Sequence, residues 1–415
     1  MRCTLSAAFA VIAMAGLSAS PGQPASTSPL AVTALPSPSG ANAAQPQLSV
    51  SSRGALLSWI ERAGEQATLK FSERTASGWT PAKTVASGDN WFVNWADVPS
   101  VVRLADGSLV AHWLQKSGAD TYAYDVRLTY SKDDGKTWAP SFTPHHDGTK
   151  TEHGFVTLFQ MPAAGLGVVW LDGRNMKGGE HGTAGHGAAG GDDMSLRFGS
   201  FGTDFKQTAD TPMDLRVCEC CPTAVAVTSD GPIVAYRDRS PNEVRDIYIT
   251  RLENGKWTEG KPVHADDWRV PACPVNGPAL SARGRDVAIA WFNARDDQPK
   301  SFAALLSDAG RTFGAPVRLD DGASLGRVDV ELLLDGSALA AYMEFADQKA
   351  QFRVRRIDRA GAKSTPVTIG GMAGNRSSGY PRMALAGQEV VFAWVDREGG
   401  SLVRTAVAEL PTMKK

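Results

Sequence analysis

The chain has 415 residues, with 43 basic and 44 acidic side chains and a formal net charge of −1. This balance argues against a nucleic-acid-binding protein and against one held at a membrane surface, because both need an excess of positive charge. The 42 glycines and 24 prolines favour a fold with many turns. We expect a monomer with no nucleic-acid partner and no stable membrane insertion.

The N-terminus is typical of a secretory signal peptide over residues 1–20. Arg2 precedes an apolar stretch from Leu5 to Leu17, which is too short to span a bilayer. Ser20 stands where a lipoprotein would carry its lipidated cysteine, so lipid anchoring is not expected. The sequence therefore predicts export to the periplasm or secretion. Residues 21–46, rich in Pro, Ser and Ala, have the composition of a linker.

A repeat begins at about residue 47 and continues to the end of the chain as one domain, 47–415. Short apolar runs end in an aromatic residue before a polar loop at seven anchor positions: Trp59, Trp113, Trp170, Tyr236, Trp291, Tyr342 and Trp394. The intervals are 54, 57, 66, 55, 51 and 52 residues, each made of short strands separated by turns. This period predicts an all-β, seven-bladed β-propeller. We expect the ring to close by pairing of residues 28–35, or of the first blade's strands, with the C-terminal strands of blade 7.

In such a propeller, the loops that lead into the inner strands and the loops that follow the anchors share one face, here called the top face. Chemically active side chains gather in both loop sets: Asp97, His153, Cys220, Cys221, Cys273, Arg327, Asp329, Tyr380 and Arg382 in the first, and Asp172, Arg174, Arg237, Asp238, Arg239, Arg295, Asp296 and Glu344 in the second. This concentration predicts a binding or catalytic site on the top face. The alternative is that many of these residues form ion pairs at the rim.

One turn on the opposite face has a distinctive sequence. Residues 131–138 read SKDDGKTW, in which Asp133 is expected to bond backbone amides, Gly135 to supply a positive φ, and Trp138 to pack between neighbouring strands. A weaker copy surrounds Asp308. This pattern, S-x-D-x-G-x-T-W, resembles the Asp-box of the sialidase-like (BNR) superfamily, and the resemblance covers nearly all of residues 47–415. The C-x-C-C-P segment from Cys218 resembles a bacterial group labelled sialidase family proteins.

The resemblance implies specific roles for site residues. In sialidases, arginines clamp the carboxylate of the sugar, an Asp acts as the acid, and a Tyr paired with a Glu is the nucleophile. Matching residues would be Arg174, Arg237, Arg327 and Arg382 for the clamp, Asp97 for the acid, and Tyr380 with Glu344 for the nucleophile. Two features depart from the family. The first inner strand, QPQLSVSS, lacks the usual arginine, and classical sialidases have six blades, which makes a six-bladed ring the alternative fold.

The four cysteines that follow the signal segment leave three interpretations open. Cys218, Cys220, Cys221 and Cys273 could form two disulfides, as is common in exported proteins. They could instead bind copper or zinc, with His153 as a further ligand, since clustered thiolates suit both metals. A third interpretation is a reactive thiol pair. Further candidate ligands, placed only by their loops, are Met176, His181 and His186 in the Gly-rich segment 172–193, together with His145 and His146.

Two functions of different classes follow. The leading hypothesis is an exported sialidase-like propeller that binds or hydrolyses an anionic glycan, as an exo-sialidase-like glycoside hydrolase would. The alternative is a periplasmic copper- or zinc-binding propeller that uses the cysteines. A propeller that only scaffolds other proteins is a third class. Arginine substitutions would abolish the first function and cysteine substitutions the second.

Overall fold

The computed structural model describes residues 30–176, 193–398 and 400–410. The strands, in chain order, are β1 Val32–Leu35, β2 Ala43–Ser51, β3 Gly54–Ala63, β4 Gln66–Thr75, β5 Gly78–Trp79, β6 Lys83–Gly88, β7 Ser100–Arg103, β8 Leu109–Lys116, β9 Tyr124–Ser131, β10 His153–Gln160, β11 Leu166–Asp172, β12 Ser195–Phe201, β13 Gln207–Asp214, β14 Ala224–Thr228, β15 Gly231–Arg237, β16 Ile247–Glu253, β17 Lys256–Trp257, β18 Lys261–Pro262, β19 Ala279–Arg283, β20 Asp286–Asn293, β21 Lys300–Leu306, β22 Val317–Arg318, β23 Ala323–Leu332, β24 Ala338–Ala346, β25 Lys349–Ile357, β26 Val367–Met372, β27 Arg382–Ala386, β28 Glu389–Asp396 and β29 Leu402–Glu409. Two short 3₁₀ helices, Arg295–Asp297 and Arg376–Ser378, are the only helices in the described ranges, so no helix there is long and apolar enough to cross a membrane.

The strands form seven antiparallel sheets, each one blade. Blades 1 to 6 begin with β2, β7, β10, β14, β19 and β23, and blade 7 combines β27, β28, β29 and β1. These first strands, with β27, contact one another in sequence around a ring, and β2 contacts β27 to complete it. The seven-bladed prediction is confirmed, and the six-bladed alternative is wrong.

The aromatic anchors define the blades because each lies on the second strand of its sheet, where both faces are covered. Trp59, Trp170 and Trp291 are fully buried, and each indole N–H donates to a carboxylate at 2.8 Å. A buried indole needs such an acceptor, because an unsatisfied donor carries a desolvation cost. Hydrophobic residues of adjacent blades pack around the anchors in several core clusters, so the core is distributed around the ring.

The N-terminal part of the described chain closes the ring. Val32–Leu35 pairs antiparallel with β29, with Leu35 opposite Thr405, and becomes the outermost strand of blade 7. The predicted closure by residues 28–35 is therefore confirmed. Strands β1 and the start of β2 fall inside segment 21–46, which its composition favours as a linker. Pairing with the last blade orders these residues despite their Pro and Ser content.

The turn after β9 has the geometry expected of the SKDDGKTW pattern. The Asp133 carboxylate accepts hydrogen bonds from the amides of Lys136 and Thr137 at 3.1 and 2.9 Å, and from the Thr137 hydroxyl. These bonds lower the pKa of Asp133, the amide of Thr137 contributing most. Gly135 has a φ of 75°, and Trp138 packs edge-on against Phe71 of blade 1.

Candidate functional site

Three of the four cysteines converge at the start of blade 4 on the top face. The Sγ atom of Cys218 lies 3.7 Å from that of Cys220 and 3.5 Å from that of Cys221. All three sulfur atoms lie within 4.8 Å of one another. These separations are too long for a disulfide, and none of the four described cysteines is bonded to another. A metal–sulfur bond of about 2.3 Å would place its sulfur ligands about 3.8 Å apart in tetrahedral geometry, close to the observed distances.

Two arginines surround the thiols with positive charge. The Nη1 atom of Arg245 donates to Cys218 Sγ at 3.3 Å and also pairs with Glu219 at 3.0 Å. Burial raises the pKa of Cys218 to about 11. Burial also opposes the charge of Cys221, but hydrogen bonds from Cys218 and Cys220 and the charge of Arg237 hold its pKa well below the ordinary value. The first thiolate of the cluster therefore forms at Cys221.

Cys273 lies at the edge of this cluster. It is exposed, and its thiol interacts with that of Cys220, which together with burial raises the pKa of Cys220. Cys273 lies further from its inner strand than Cys221 does. Pro278 leads into β19 as Pro222 leads into β14, and both prolines line the central channel. The two cysteines therefore do not occupy equivalent places in blades 4 and 5.

His153 is not a neighbour of the thiol cluster in any described group of candidate ligands. Its ring stacks in parallel on His145 with 3.8 Å between centroids, and its Nε2 atom lies 3.2 Å from Asp147 and 3.8 Å from Asp172. The structure does not bring it together with the cysteines, because its ring faces blade 2, where Nδ1 lies 3.3 Å from the carbonyl oxygen of Tyr124. Burial opposes protonation of His153, but Asp147 and Asp172 raise its pKa overall.

The His153 group is a closed network of charges. The Arg174 guanidinium pairs with both oxygens of Asp172 at 2.7 Å and approaches Asp147 at 3.4 Å. Burial and the neighbouring His153 lower the pKa of His145 to about 3, so His145 is neutral at neutral pH. Arg174 and His153 are thus the protein groups that lie against the carboxylates of Asp147 and Asp172. His146 lies outside this network and contacts Gln207 at 3.0 Å.

The Gly-rich segment 172–193, which joins β11 to β12 within blade 3, was predicted to contribute metal ligands. Met176 is described, and its backbone amide bonds the carbonyl of Gly173. His181 and His186 lie outside the described residues.

The four arginines predicted to clamp a carboxylate do not converge on one point. Arg237 is buried, and its three guanidinium nitrogens donate to the carbonyls of Asn276, Arg245 and Phe292 at 2.6–3.1 Å. Arg327 is also buried and donates to Ser378, Gly379 and Asn375. The Arg174 guanidinium donates to both carboxylate oxygens of Asp172. Side chains already committed to internal acceptors cannot form the predicted clamp.

Arg382 alone of the four faces the central channel, a cavity of about 310 Å³. Its guanidinium lies over the Tyr380 ring at 5.2 Å. Asp97 and Glu331 line the same cavity. Burial raises the pKa of each carboxyl to about 8, so both are protonated at neutral pH. Asp97 accepts a hydrogen bond from the amide of Phe155 at 2.8 Å, and its Oδ1 atom has no protein partner among the described residues.

The predicted nucleophile pair is not assembled. The Tyr380 hydroxyl donates to the carbonyl of Val275 at 2.7 Å. Glu344 instead accepts from the amide of Asp321 and forms an ion pair with Arg353 at 2.9 Å. The structure therefore does not pair Tyr380 with Glu344, because Glu344 lies within β24 and its side chain pairs inside its own blade.

A cleft on the top face escaped the sequence reading. It lies where blade 1 meets blade 7, has a volume of about 550 Å³, and is here called the arginine cleft. It is lined by Asn42, Ala44, Gln45, Ile60, Arg62, Gly64, Val93, Trp95, Ser377, Gly379, Val395, Arg397 and Ser401. This lining contains two arginines and no acidic residue. A signal was present in the sequence, because each arginine follows its aromatic anchor by three residues.

The two arginines of the cleft retain free donors. The Arg62 guanidinium makes no hydrogen bond or ion pair within the described residues. Arg397 donates through Nε and Nη2 to the carbonyl of Ser377 at 2.8 and 2.5 Å, which leaves Nη1 without a partner there. Two more guanidinium groups, those of Arg327 and Arg376, lie 4.8 and 5.9 Å from the ring of Trp95 in the cleft wall. The cleft is therefore electropositive.

No known family profile matches the sequence, and no curated protein sequence is similar to it. Solved structures do share the fold. Polysaccharide lyase Uly1 is 9% identical, with a TM-score of 0.54 over 89% of this chain and 90% of that chain. A protein of unknown function from Dyadobacter fermentans is 15% identical, with a TM-score of 0.51 over 92% of this chain and 98% of that chain. A mutant of the NanB sialidase from Streptococcus pneumoniae is 8% identical, with a TM-score of 0.48 over 91% and 94%.

The chain is a seven-bladed β-propeller. At these identities the likeness shows the fold alone, and the resemblance to Asp-box proteins at the level of sequence stays a prediction. Two regions of the top face have chemistry that the fold does not require. They are the arginine cleft and the thiol cluster of Cys218, Cys220 and Cys221.

Proposed function

We propose that this propeller binds an anionic glycan in the arginine cleft. The observation that carries the proposal is the composition of the lining. It contains no carboxylate, and the guanidinium groups of Arg62 and Arg397 form no ion pair with any described residue. A guanidinium matches the planar geometry of a uronate or sialate carboxylate and binds it through paired hydrogen bonds. The amide of Asn42 and the hydroxyl of Ser401 suit the hydroxyl groups of a sugar. A neutral or cationic ligand would leave both arginines uncompensated.

The comparison with known structures supports a carbohydrate as the ligand, since one protein of the same fold is a polysaccharide lyase. For the arginine cleft we infer binding and no bond cleavage. Its described lining contains no carboxyl, imidazole or phenol that could act as acid, base or nucleophile. The exo-sialidase-like hydrolysis predicted from the sequence would need Asp97 and Tyr380, and these line the channel instead.

Glycan-array binding followed by calorimetry tests this proposal. We expect binding to oligosaccharides that carry uronate, sialate or sulfate groups, weakened by salt because the contacts are partly exposed. Arg62→Ala and Arg397→Ala should each weaken binding by about tenfold or more, as for loss of a charged hydrogen bond. Arg359→Ala is the matched control, because this arginine is also exposed and forms its ion pair, with Asp286, away from the cleft. Equal binding by all variants would refute the cleft as the glycan site.

A second candidate function is supported by a separate observation. The three sulfur atoms of Cys218, Cys220 and Cys221 are spaced as ligands of one soft metal ion, with Arg237 and Arg245 placed to offset thiolate charge. We infer that this cluster binds copper or zinc when its thiols are reduced. The two other groups of candidate ligands among the described residues, both of which include His153, contain no thiol.

The two functions are separable by reciprocal variants. Metal content of the reduced protein, measured by elemental analysis, should be about one ion per chain and should be lost in Cys221→Ser. Glycan binding should persist in Cys221→Ser, and metal binding should persist in Arg62→Ala. Absence of both glycan and metal binding from the unsubstituted protein would favour a scaffolding role. Both proposed functions assume that the protein is exported to the periplasm or secreted. Export is itself a proposal, and it rests on residues 1–20.

A further inference from the structure

The thiol cluster has a gradient of exposure from solvent to interior. Cys273 is exposed, Cys220 is half-buried, and Cys218 and Cys221 are each about 1% exposed. The exposed thiol interacts with the half-buried one, and the half-buried one contacts Cys218. The four sulfur atoms therefore form a path from solvent to the interior of the protein. In a purely structural metal site, all four thiols would be expected to surround the ion.

The loop that carries Cys273 is held in place two and three residues further along the chain. The carbonyl of Val275 accepts the hydroxyl of Tyr380 at 2.7 Å, and the amide of Asn276 donates to the sulfur of Cys221. Val275 has a φ of 47°, an unusual conformation for a β-branched residue. This conformation turns the chain between the outer thiol and the inner cluster. The position of Cys273 at the mouth of the cluster is therefore fixed by the packing of blades 4, 5 and 7.

We propose that Cys273 is the exchange ligand through which a Cu(I) ion enters and leaves the buried site of Cys218, Cys220 and Cys221. This inference rests on the proposed metal-binding function. Three close thiols with the fourth at a distance suit Cu(I), which accepts three thiolate ligands, whereas structural Zn²⁺ sites are almost always four-coordinate.

The transfer is a sequence of ligand substitutions with no change of oxidation state. The donor's Cu(I) first gains a bond to the Cys273 sulfur, whose proton passes to solvent, while one donor ligand leaves. The Cys220 sulfur then bonds the ion and loses its proton as the next donor ligand leaves. Cys221 and Cys218 bond in turn, each losing to solvent any proton that it still carries, and the Cu–Cys273 bond breaks as that thiolate regains a proton. The net reaction binds one Cu(I) to three thiolates, releases the protons that those three sulfurs carried and leaves Cys273 a thiol.

Arg237 and Arg245 favour the inward direction of this sequence. They lie beside the buried thiols, with Arg245 Nη1 3.3 Å from Cys218 Sγ, whereas Cys273 is exposed to solvent. Positive charge stabilises thiolates and therefore the thiolate-bound ion. The ion is thus held more tightly at the inner sulfurs than at the outer one.

The test measures both the affinity and the exchange rate of the full protein for Cu(I). Reduced protein is titrated under anaerobic conditions against a chromophoric Cu(I) chelator, and the loaded protein is then mixed with excess chelator in a stopped-flow instrument. For Cys273→Ser we expect an affinity within about threefold of the unsubstituted protein and a release rate at least about tenfold slower, because an incoming thiolate no longer assists the substitution. Ala272→Ser, one residue away on the same exposed loop, is the matched control and should exchange at the normal rate.

Each other outcome has one meaning. If the unsubstituted protein binds no Cu(I), the proposed metal function itself is wrong. If Cys273→Ser binds normally and exchanges at the normal rate, the metal site stands and the exchange role is refuted. If Cys273→Ser loses affinity by about 100-fold or more, Cys273 is a permanent fourth ligand, and the exchange role is again refuted.

Discussion

Arg237 gives the sharpest test of whether the arginines of the top face bind ligand or hold the fold. Its guanidinium makes four hydrogen bonds to three buried carbonyls, and it lies 5.0 Å from the ring of Trp268. Arg237→Ala leaves those carbonyls without their donors. Each unsatisfied buried group costs about 1–3 kcal/mol, and partial relaxation makes the costs less than additive, so we expect a loss of about 3–5 kcal/mol in unfolding free energy.

The assay is urea unfolding followed by tryptophan fluorescence, with the midpoint and slope compared between variants. Arg237→Lys keeps the charge but reaches fewer carbonyls, so its loss should be about half as large. Arg397→Ala is the control, since removal of an exposed arginine should change stability by less than about 0.5 kcal/mol.

A second readout separates Arg237 from a merely packed residue. The charge of Arg237 helps to lower the pKa of Cys221. If the lysine ammonium in Arg237→Lys lies farther from the sulfur, alkylation of Cys221 should require a higher pH. A change of packing alone would leave that pH unchanged. The reasoning fails if Arg237→Ala changes stability by less than about 1 kcal/mol and abolishes glycan binding. Arg237 would then be part of a ligand clamp after all.

Three further predictions follow from the fold. Burial raises the pKa of Asp97 and of Glu331 to about 8, so between about pH 4 and 8 the folded protein holds two protons that the unfolded chain has released, and stability falls as pH rises through that window. Unfolding free energies of Asp97→Asn with Glu331→Gln, measured across that range, should show a flatter dependence. Removing residues 30–36 deletes β1, and thermal unfolding should then occur at a lower temperature than in a form that begins at residue 30. Gly277→Ala would press a Cβ against the carbonyl oxygen of Pro222 and should cost about 1–3 kcal/mol by urea unfolding, whereas Gly371→Ala, with open space around it, should be nearly neutral.

The architecture could be predicted from the sequence because its signal is repeated. Each aromatic anchor recurs at a similar interval, and burial of a large ring on the second strand is needed in every blade. Closure by residues 32–35 could also be foreseen, since a ring of sheets leaves one outer strand to be supplied from the other end of the chain. These features depend on residue type and spacing alone.

The direction of individual side chains could not be predicted in the same way. Arg327 was expected in a loop but lies within β23, where a bulge with a φ of 51° turns it into the interior, and it donates to three groups in the segment that precedes β27. Bulges also reorient the inner strands at Phe155 and Gln45. A shift of one residue moves a side chain to the opposite face of a strand. For this reason the blades could be predicted from the sequence, whereas the separation of Tyr380 from Glu344 could not.

The pairing of β1 with β29 determines when the ring of blades can close during synthesis. The hydroxyl of Thr405 bonds the carbonyl of Leu35 across 370 residues of chain. A polypeptide emerging from the ribosome therefore carries an unpaired first strand until its last blade has been made. Contact order this high makes folding slow, because the entropy of closing the longest loop must be overcome before the contact stabilises the ring. A chain cut short before β29 has no partner for that strand, and incomplete products would expose a free sheet edge that favours aggregation.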